Sequence, residues 1–190
     1  MNRRLAMGRI ILLVLLVGVC WTPLQWAQLP TAGPPPELQK WDIWVGDWTL
    51  IGTAKDTATE PEYKVDWRMQ GRWILGRHFV EVRGTWKGKG AESTSLEILS
   101  YDVVRKIHAY SGFASDGTTW VATVKFSDGT VVETETDTGP DGKIATLRNS
   151  WSVSPDGMSI SGTEEREQDG VHWIAFTVKG TKTKPLSEKR

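Results

Sequence analysis

The chain has 190 residues, enough for one domain with a short extension. Its 23 lysines and arginines balance 23 aspartates and glutamates, and a chain without a basic excess is a poor candidate for binding nucleic acid. The single cysteine excludes an intrachain disulfide framework and any metal site built from several cysteines.

The first 32 residues are predicted to form a signal peptide or membrane anchor with a linker. Met1–Arg9 holds three arginines and no acid, and the uncharged run IILLVLLVGVCW follows at 10–21. A basic segment before a short apolar run is typical of a secretory signal. A helix of that length rises only about 18 Å, whereas the core of a bilayer is about 30 Å thick.

Three fates of this segment remain open. It is a cleaved signal, a retained membrane anchor, or a lipoprotein signal at Cys20, although the preceding Val19 is not the small residue usual there. The run TAGPPP at 31–36 is typical of a short, stiff linker. In each case the domain at 33–190 is expected outside the cytoplasm, periplasmic or secreted, and meets a membrane only through its N-terminal segment.

Beyond Trp41 the apolar residues alternate with polar ones, which is the period of a β-strand and not of a helix. The one helical candidate is 36–45, after the proline run. The strands predicted from alternation and turn residues span 47–54, 63–70, 73–85, 92–101, 106–114, 118–126, 130–136, 143–153, 158–167 and 171–181.

Asp-Gly pairs separate the later strands at nearly constant spacing. They begin at 116, 128, 141, 156 and 169, in steps of 12, 13, 15 and 13 residues. Asp-Gly suits type I′ turns, in which both central residues have positive φ, so these pairs predict consecutive antiparallel hairpins. Because closure removes exposed edges, the predicted fold is all-β, an antiparallel up-and-down β-barrel of about ten strands.

Three motifs in order resemble a known type of barrel. Gly46-Asp47-Trp48, after the turn that begins at Trp41, resembles the opening of calycin-type barrels. With the segment WILGRHFV at 73–80 and Tyr101-Asp102, the chain from Pro36 to about Lys182 is similar to a lipocalin-like bacterial family of unknown function, DUF1579. The resemblance implies a calycin-like barrel and no particular activity.

Relatives with this barrel bind apolar small molecules, and a nitrobindin-like branch binds haem. That branch has a glycine-rich string after its Gly-x-Trp motif and a haem-ligating histidine late in the chain. Here Trp48 is followed by Thr-Leu-Ile-Gly, and nothing around the late His172 matches. No haem ligand is therefore carried over, and no cofactor is expected.

The eleven tryptophans supply the main candidate site residues. Trp48 is expected to pack across the closed end of the barrel, with Gly46 and Gly76 meeting backbone requirements. Trp67, Trp120 and Trp151 lie on apolar strand faces, where core packing and contact with a ligand are both open. Because ten strands enclose more space than side chains fill, some of these indoles should border a cavity.

Few polar residues complete this candidate site. His108 and Tyr110 share one face of a strand, and they either anchor a polar group of the ligand or form a bonded pair on the outer face. Arg148, in a central strand, must face water, a carboxylate or an anionic ligand. The three histidines lack the spacing of a metal site, so no metal is expected.

Carboxylate pairs are a weak lead for catalysis. Glu164 and Glu165 are adjacent on a strand and must point to opposite faces. Glu133 and Glu135 share a face, but the threonines around them indicate a solvated strand. Catalytic residues therefore stay unassigned.

The leading functional hypothesis is an exported binding module that holds a small, largely apolar molecule in its barrel. The alternatives are an enzyme that uses the same cavity, and a filled barrel with a structural or interaction role and no ligand. An enzyme would need an acid or histidine of shifted pKa inside the barrel. The ligand and the oligomeric state remain open at this stage.

Overall fold

Ten antiparallel strands close into a barrel in the computed structural model, which describes residues 36–168 and 170–183. Each strand pairs with its neighbours in the chain, and the first strand pairs with the last. The strands are β1 (Gly46–Ala54), β2 (Tyr63–Ile74), β3 (Phe79–Gly88), β4 (Ala91–Asp102), β5 (Ile107–Ala114), β6 (Thr119–Ser127), β7 (Thr130–Thr138), β8 (Ile144–Val153), β9 (Ser159–Gln168) and β10 (Val171–Thr183). The prediction of an all-β, closed antiparallel barrel is confirmed. The predicted signal or anchor at 1–32 lies outside the described residues.

The predicted third strand is wrong at its start. Residues 73 and 74 still belong to β2, a 3-10 turn spans Leu75–Arg77, and β3 begins only at Phe79. Leu75, Gly76 and Arg77 all have positive φ. Three consecutive left-handed residues cannot continue a strand, so the chain reverses here although no Asp-Gly pair marks the turn.

The Asp-Gly turns are hairpin connections of two kinds. Asp128 and Gly129 both have positive φ, as a type I′ turn requires. At Asp116 and Asp156 the glycine alone has positive φ, and the aspartate side chain accepts a hydrogen bond from the backbone N–H two residues on, at 2.9 and 3.0 Å. Asp141 does the same at 3.1 Å, whereas Asp169 lies outside the described residues.

A short plug fills one end of the barrel. Helix α1 (Pro36–Gln39) and the 3-10 turn Lys40–Trp44 form this plug, which carries the fully buried Trp41. The Trp41 indole donates a hydrogen bond to the Ser100 carbonyl at 3.1 Å, and the Trp48 indole donates to the Ile43 carbonyl at 3.2 Å. Both tryptophans bury large apolar areas while their N–H groups keep acceptors, which fixes the plug to the sheet.

The opposite end of the barrel, called the mouth, carries the other set of connections. Because successive strands alternate in direction, the loops at 55–62, 89–90, 115–118 and 139–143 all lie at this end. The plug and the loops at 75–78, 103–106, 128–129 and 154–158 lie at the closed end. No helix in the described part of the chain is long and apolar enough to cross a membrane.

Candidate functional site

A cavity of about 430 Å³ runs through the barrel from the plug to the mouth. Trp41 and Trp44 form its floor, and Asp56 and Asp116 lie at its outer end. Pockets for small molecules are commonly about 300–1,000 Å³, so a compact organic molecule fits. The aromatic and aliphatic side chains of its wall are Trp67, Met69, Val82, Trp86, Leu99, Trp120, Trp151 and Phe176.

Two of the indoles lie flat against glycines of neighbouring strands. Trp120 is the cross-strand partner of Gly112, and Trp151 is the partner of Gly162. A Cβ would lie 2.0 Å from the Trp120 ring at Gly112 and 2.3 Å from the Trp151 ring at Gly162. The glycines therefore create the room that lets these rings lie along the sheet and leave the middle of the barrel open.

The aromatic wall is continuous across several strands. The Trp67 ring centroid lies 6.0 Å from those of Trp86 and Phe176, and 6.3 Å from that of Trp151. The Trp151 ring also meets Trp44 of the plug at 5.3 Å in an edge-to-face contact. Such pairs hold each ring in one orientation, which gives the cavity a defined apolar face.

A polar cluster faces this aromatic wall. The Tyr110 hydroxyl bonds Glu133 Oε2 at 3.0 Å and also bonds Glu135 Oε2. A hydroxyl has one proton, so it can donate to one carboxyl and must accept from the other, which then carries a proton of its own. Burial is the main cause that raises the pKa of both Glu133 and Glu135, in agreement with this arrangement.

Glu97 adds a carboxyl without a partner. It lines the cavity from β4, and no hydrogen bond joins its carboxyl to any residue in the described part of the chain. Burial, with a smaller contribution from the charge of Glu133, raises the pKa of Glu97 to about 8. The Trp151 indole N–H faces Glu133 and helps to lower its pKa, but it is buried without an acceptor in good hydrogen-bonding geometry.

The positively charged side chains nearest to this cavity lie toward the mouth. Arg166 Nε bonds Glu164 Oε1 at 2.6 Å, and Lys89 bonds Asp56 at 2.7 Å and Glu60 at 2.8 Å. Tyr63 donates to Asp56 at 2.7 Å; burial, and then this bond, raises the pKa of Tyr63 to about 12. These pairs lie toward the mouth, so no cation among the described residues bonds Glu97, Glu133 or Glu135.

The structure brings four of the six predicted ligand-binding residues to the cavity. Trp67, Tyr110, Trp120 and Trp151 line it. The other two do not, and their placement corrects the predicted site. His108 is buried beneath the plug, where its Nε2 lies 2.6 Å from the carbonyl oxygen of Glu37.

Arg148 is the second correction. It is exposed on the outer face of β8, while Leu147 and Asn149 on either side of it are buried. Water, a carboxylate and an anionic ligand were the three environments open to Arg148, and its side chain faces solvent. The cause is the strict alternation of β8, which turns every second side chain away from the cavity.

The interpretation of Glu133 and Glu135 as solvated is wrong. They are only 5% and 9% exposed and point into the barrel with Val131, while Thr134 faces outward. Glu97 likewise points inward, between Leu96 and Ile98 on the other face. Continuing the alternation from Val131 through β7, and from Leu99 back through β4, would have found all three.

None of the three histidines lines the cavity. His78 follows the turn at 75–77, His108 lies under the plug, and His172 is exposed beside Glu167. The cavity therefore offers no imidazole to a haem iron and does not fit a histidine-ligated haem. In the described part of the chain, no three His, Cys, Asp or Glu residues are arranged to hold a metal ion.

Comparisons with known proteins support the fold alone. No family model matches the chain, and no curated protein matches it. Among solved structures, the barrel is similar to the crystal structure of Rv2717c from M. tuberculosis, with a TM-score of 0.59 and 17% sequence identity. That match covers 78% of this chain and 98% of Rv2717c, so the whole of that protein corresponds to the barrel described here.

Proposed function

We propose that this chain is an exported binding module that holds a small, largely apolar molecule inside its barrel. The observation that carries the proposal is the 430 Å³ cavity between the plug and the mouth. Concave, mostly apolar sites with a few polar groups are the usual form of small-molecule sites. A filled barrel with no ligand is disfavoured, because the indoles lie along the wall and do not cross the interior.

The likeness to the lipocalin-like family DUF1579 agrees with this proposal, and membership of that family is itself part of what we propose. Its motifs coincide with structural features: Gly46-Asp47-Trp48 opens β1, and the segment 73–80 spans the turn between β2 and β3. These positions support a calycin-like barrel. They carry no activity to this chain, so the proposal of ligand binding depends on the cavity.

Co-purification is the direct test of ligand binding. The protein is purified from the extracytoplasmic fraction of its own host and examined by native mass spectrometry, where we expect a bound mass that denaturation releases. In parallel, fluorescent apolar probes are titrated while tryptophan emission is followed, because Trp67, Trp120 and Trp151 line the cavity. Saturable quenching at micromolar probe is the expected result.

A pair of adjacent variants provides the control. Ser95→Phe places a ring in the cavity, whereas Leu96→Phe places the same ring on the other face of β4. Quenching should be lost in Ser95→Phe and kept in Leu96→Phe, with far-UV circular dichroism confirming that both fold. Equal quenching in both would place the probe outside the cavity and overturn the proposal.

Export is tested separately. Residues 1–40 are fused to a reporter that is active only in the periplasm, and we expect activity because of the basic and apolar runs at 1–21. Replacing Arg3, Arg4 and Arg9 with glutamate should reduce it. An inactive fusion retained in the cytoplasm would overturn the export proposal and leave ligand binding untouched.

Catalysis in the same cavity is the second candidate. The favouring observation is Glu97, whose pKa of about 8 would keep it protonated and able to act as a general acid at neutral pH. The released ligand is incubated with fresh protein and with Glu97→Gln. A change of ligand mass with the wild-type protein alone would favour an enzyme, and an unchanged mass favours the binding module.

A further inference from the structure

We propose that the bound molecule is a small amphipathic cation, an ammonium or amidinium group on an apolar body. The charged group would lie against Glu97 and the Tyr110–Glu133–Glu135 cluster, and the body against the tryptophan wall. This inference rests on the proposed binding function and specifies its ligand class.

The charge of the lining is strongly one-sided. The acids that line the cavity are Asp56, Glu97, Asp116, Glu133, Glu135, Asp137 and Glu164, whereas the lining cations are Lys55 and Arg166. Arg166 bonds Glu164, and Lys55 Nζ contacts the Ala58 carbonyl at 3.4 Å in the mouth loop. Glu97, Glu133 and Glu135 therefore bond no cation of the described chain, although the charge of Arg166 acts on Glu135 from the mouth side. A ligand cation would favour the ionised form of these carboxyls, because a buried charge is normally paired with an opposite one.

Among these acids, Glu97 is the one that carries the inference furthest. Its carboxyl is enclosed by the barrel, faces the cavity and makes no hydrogen bond to a described residue. Glu97 is partly buried, and the cavity leaves its carboxyl oxygens open to a partner that the described chain does not supply. An ammonium or amidinium group carries several N–H donors and would give this carboxyl charge-assisted hydrogen bonds.

The pairing of β4 with β5, and of β5 with β6, brings an aromatic ring toward Glu97. Glu97 on β4 pairs with Gly112 on β5, and Gly112 pairs with Trp120 on β6. The Trp120 ring covers Gly112, so it extends from its own strand toward β4. A cation held by Glu97 would therefore lie near an indole face, where the ring quadrupole attracts positive charge.

The same electrostatics disfavours an anionic ligand such as a fatty acid. A carboxylate deep in the cavity would disfavour the ionised forms of Glu97, Glu133 and Glu135 and would find no opposite charge beside it. Of the two lining cations, Arg166 already bonds Glu164, and Lys55 lies in the mouth loop. Cationic, neutral and anionic molecules of equal size should consequently bind with different affinities.

The test uses three probes with the same aromatic body: naphthylmethylammonium, naphthylmethanol and naphthoate. Isothermal titration calorimetry at neutral pH should show the ammonium binding at least ~10-fold more tightly than the alcohol, with naphthoate weakest. Glu97→Gln should remove most of the difference in affinity between the ammonium and the alcohol. Glu165→Gln, on the exposed face of β9, is the matched control and should bind like the wild type.

Two negative outcomes are distinguishable. If naphthylmethanol binds and the ammonium binds no more tightly, the cationic ligand class is overturned while the binding function stands. If none of the three probes binds, the binding function fails as well.

A wild-type measurement covers the case in which Glu97→Gln does not fold. Titrations in two buffers of different ionisation enthalpy report protons released on binding. The ammonium should release a proton that the alcohol does not, because it favours the ionised carboxyl. Equal proton release by both probes would contradict the proposal.

Discussion

Trp151 lies against Gly162 so closely that a Cβ at position 162 would be 2.3 Å from the indole ring. The two residues are cross-strand partners on β8 and β9, so an ordinary pair of side chains would compete for the same space. This contact holds one face of the ring to the sheet and leaves the other for the cavity. It therefore connects the stability of the barrel with the volume of the site.

Gly162→Ala should destabilise the protein by about 1–3 kcal/mol, because the added methyl group must displace a buried ring. Urea unfolding followed by circular dichroism measures this change. Ser161→Ala alters the exposed neighbour on the other face of β9 and should leave the free energy of unfolding nearly unchanged. Equal stability of the two variants would show that the Trp151 ring moves freely.

Tyr110→Phe should cost about 1–3 kcal/mol of stability, because it removes the hydroxyl shared by Glu133 and Glu135 and leaves buried groups without that partner. Chemical denaturation near pH 7 measures the loss. Tyr101→Phe is the matched control, since its hydroxyl makes no hydrogen bond to a described residue. A Tyr110→Phe protein as stable as this control would argue against the shared bond.

Stability should fall as the pH rises from about 6.5 to 8, because folded Glu97 keeps a proton that an unfolded glutamate, with a pKa of about 4.3, has already lost. For one such group the free energy of unfolding decreases by up to about 1.4 kcal/mol per pH unit. Glu133 and Glu135 act in the same direction, because burial raises the pKa of each. Urea unfolding at several pH values measures the slope.

The control for this prediction is Glu165, whose carboxyl lies on the outer face of β9. Glu97→Gln should make the pH dependence of stability shallower, with the contribution of Glu133 and Glu135 remaining. Glu165→Gln should leave it unchanged. Burial lowers the pKa of His108, so its stabilising contribution is lost as the pH falls below about 6.5, the unfolded value, and it adds no slope above that pH. A slope that is unchanged in Glu97→Gln would show that Glu97 is ionised in the folded barrel.

Trp41→Ala should destabilise the protein by about 3–5 kcal/mol, since this fully buried residue joins the plug to β4. Trp41→Phe keeps part of the apolar area and should lose less. Trp73→Ala is the comparison, because that indole also bonds the plug, at Asp42, but is only partly buried and does so in an exposed position. Thermal unfolding should rank Trp41→Ala lowest, and an equal melting temperature for Trp73→Ala would contradict the importance of burying Trp41.

Much of the fold could be predicted from the sequence because strands and turns leave local signals. Alternation from Trp120 to Phe126 gives β6 and its inward face, and Asp128-Gly129 gives the turn that follows it. The turn at 75–77 leaves no such signal, because positive φ is unusual for residues such as Leu75 and Arg77.

The chemistry of the site was harder to predict. Tryptophans on apolar faces point inward by the ordinary rule, and Trp67, Trp120 and Trp151 follow it. Glu97 and Glu133 break that rule, because the interior is a cavity and not a packed core, so polar side chains can point into it. For His108 the sequence leaves an inward and an outward position open, and neither alternative includes the plug, which contacts the buried ring through the Glu37 carbonyl.

The pairing of β1 with β10 also bears on how the chain folds. Asp47 lies opposite Thr183, so the contact that completes the barrel joins residues from the two ends of the domain. Each hairpin can form locally, but the first strand keeps an unsatisfied edge until the last strand arrives. Folding to the closed state must therefore wait for a nearly complete chain, and it should be slow for a domain of this size.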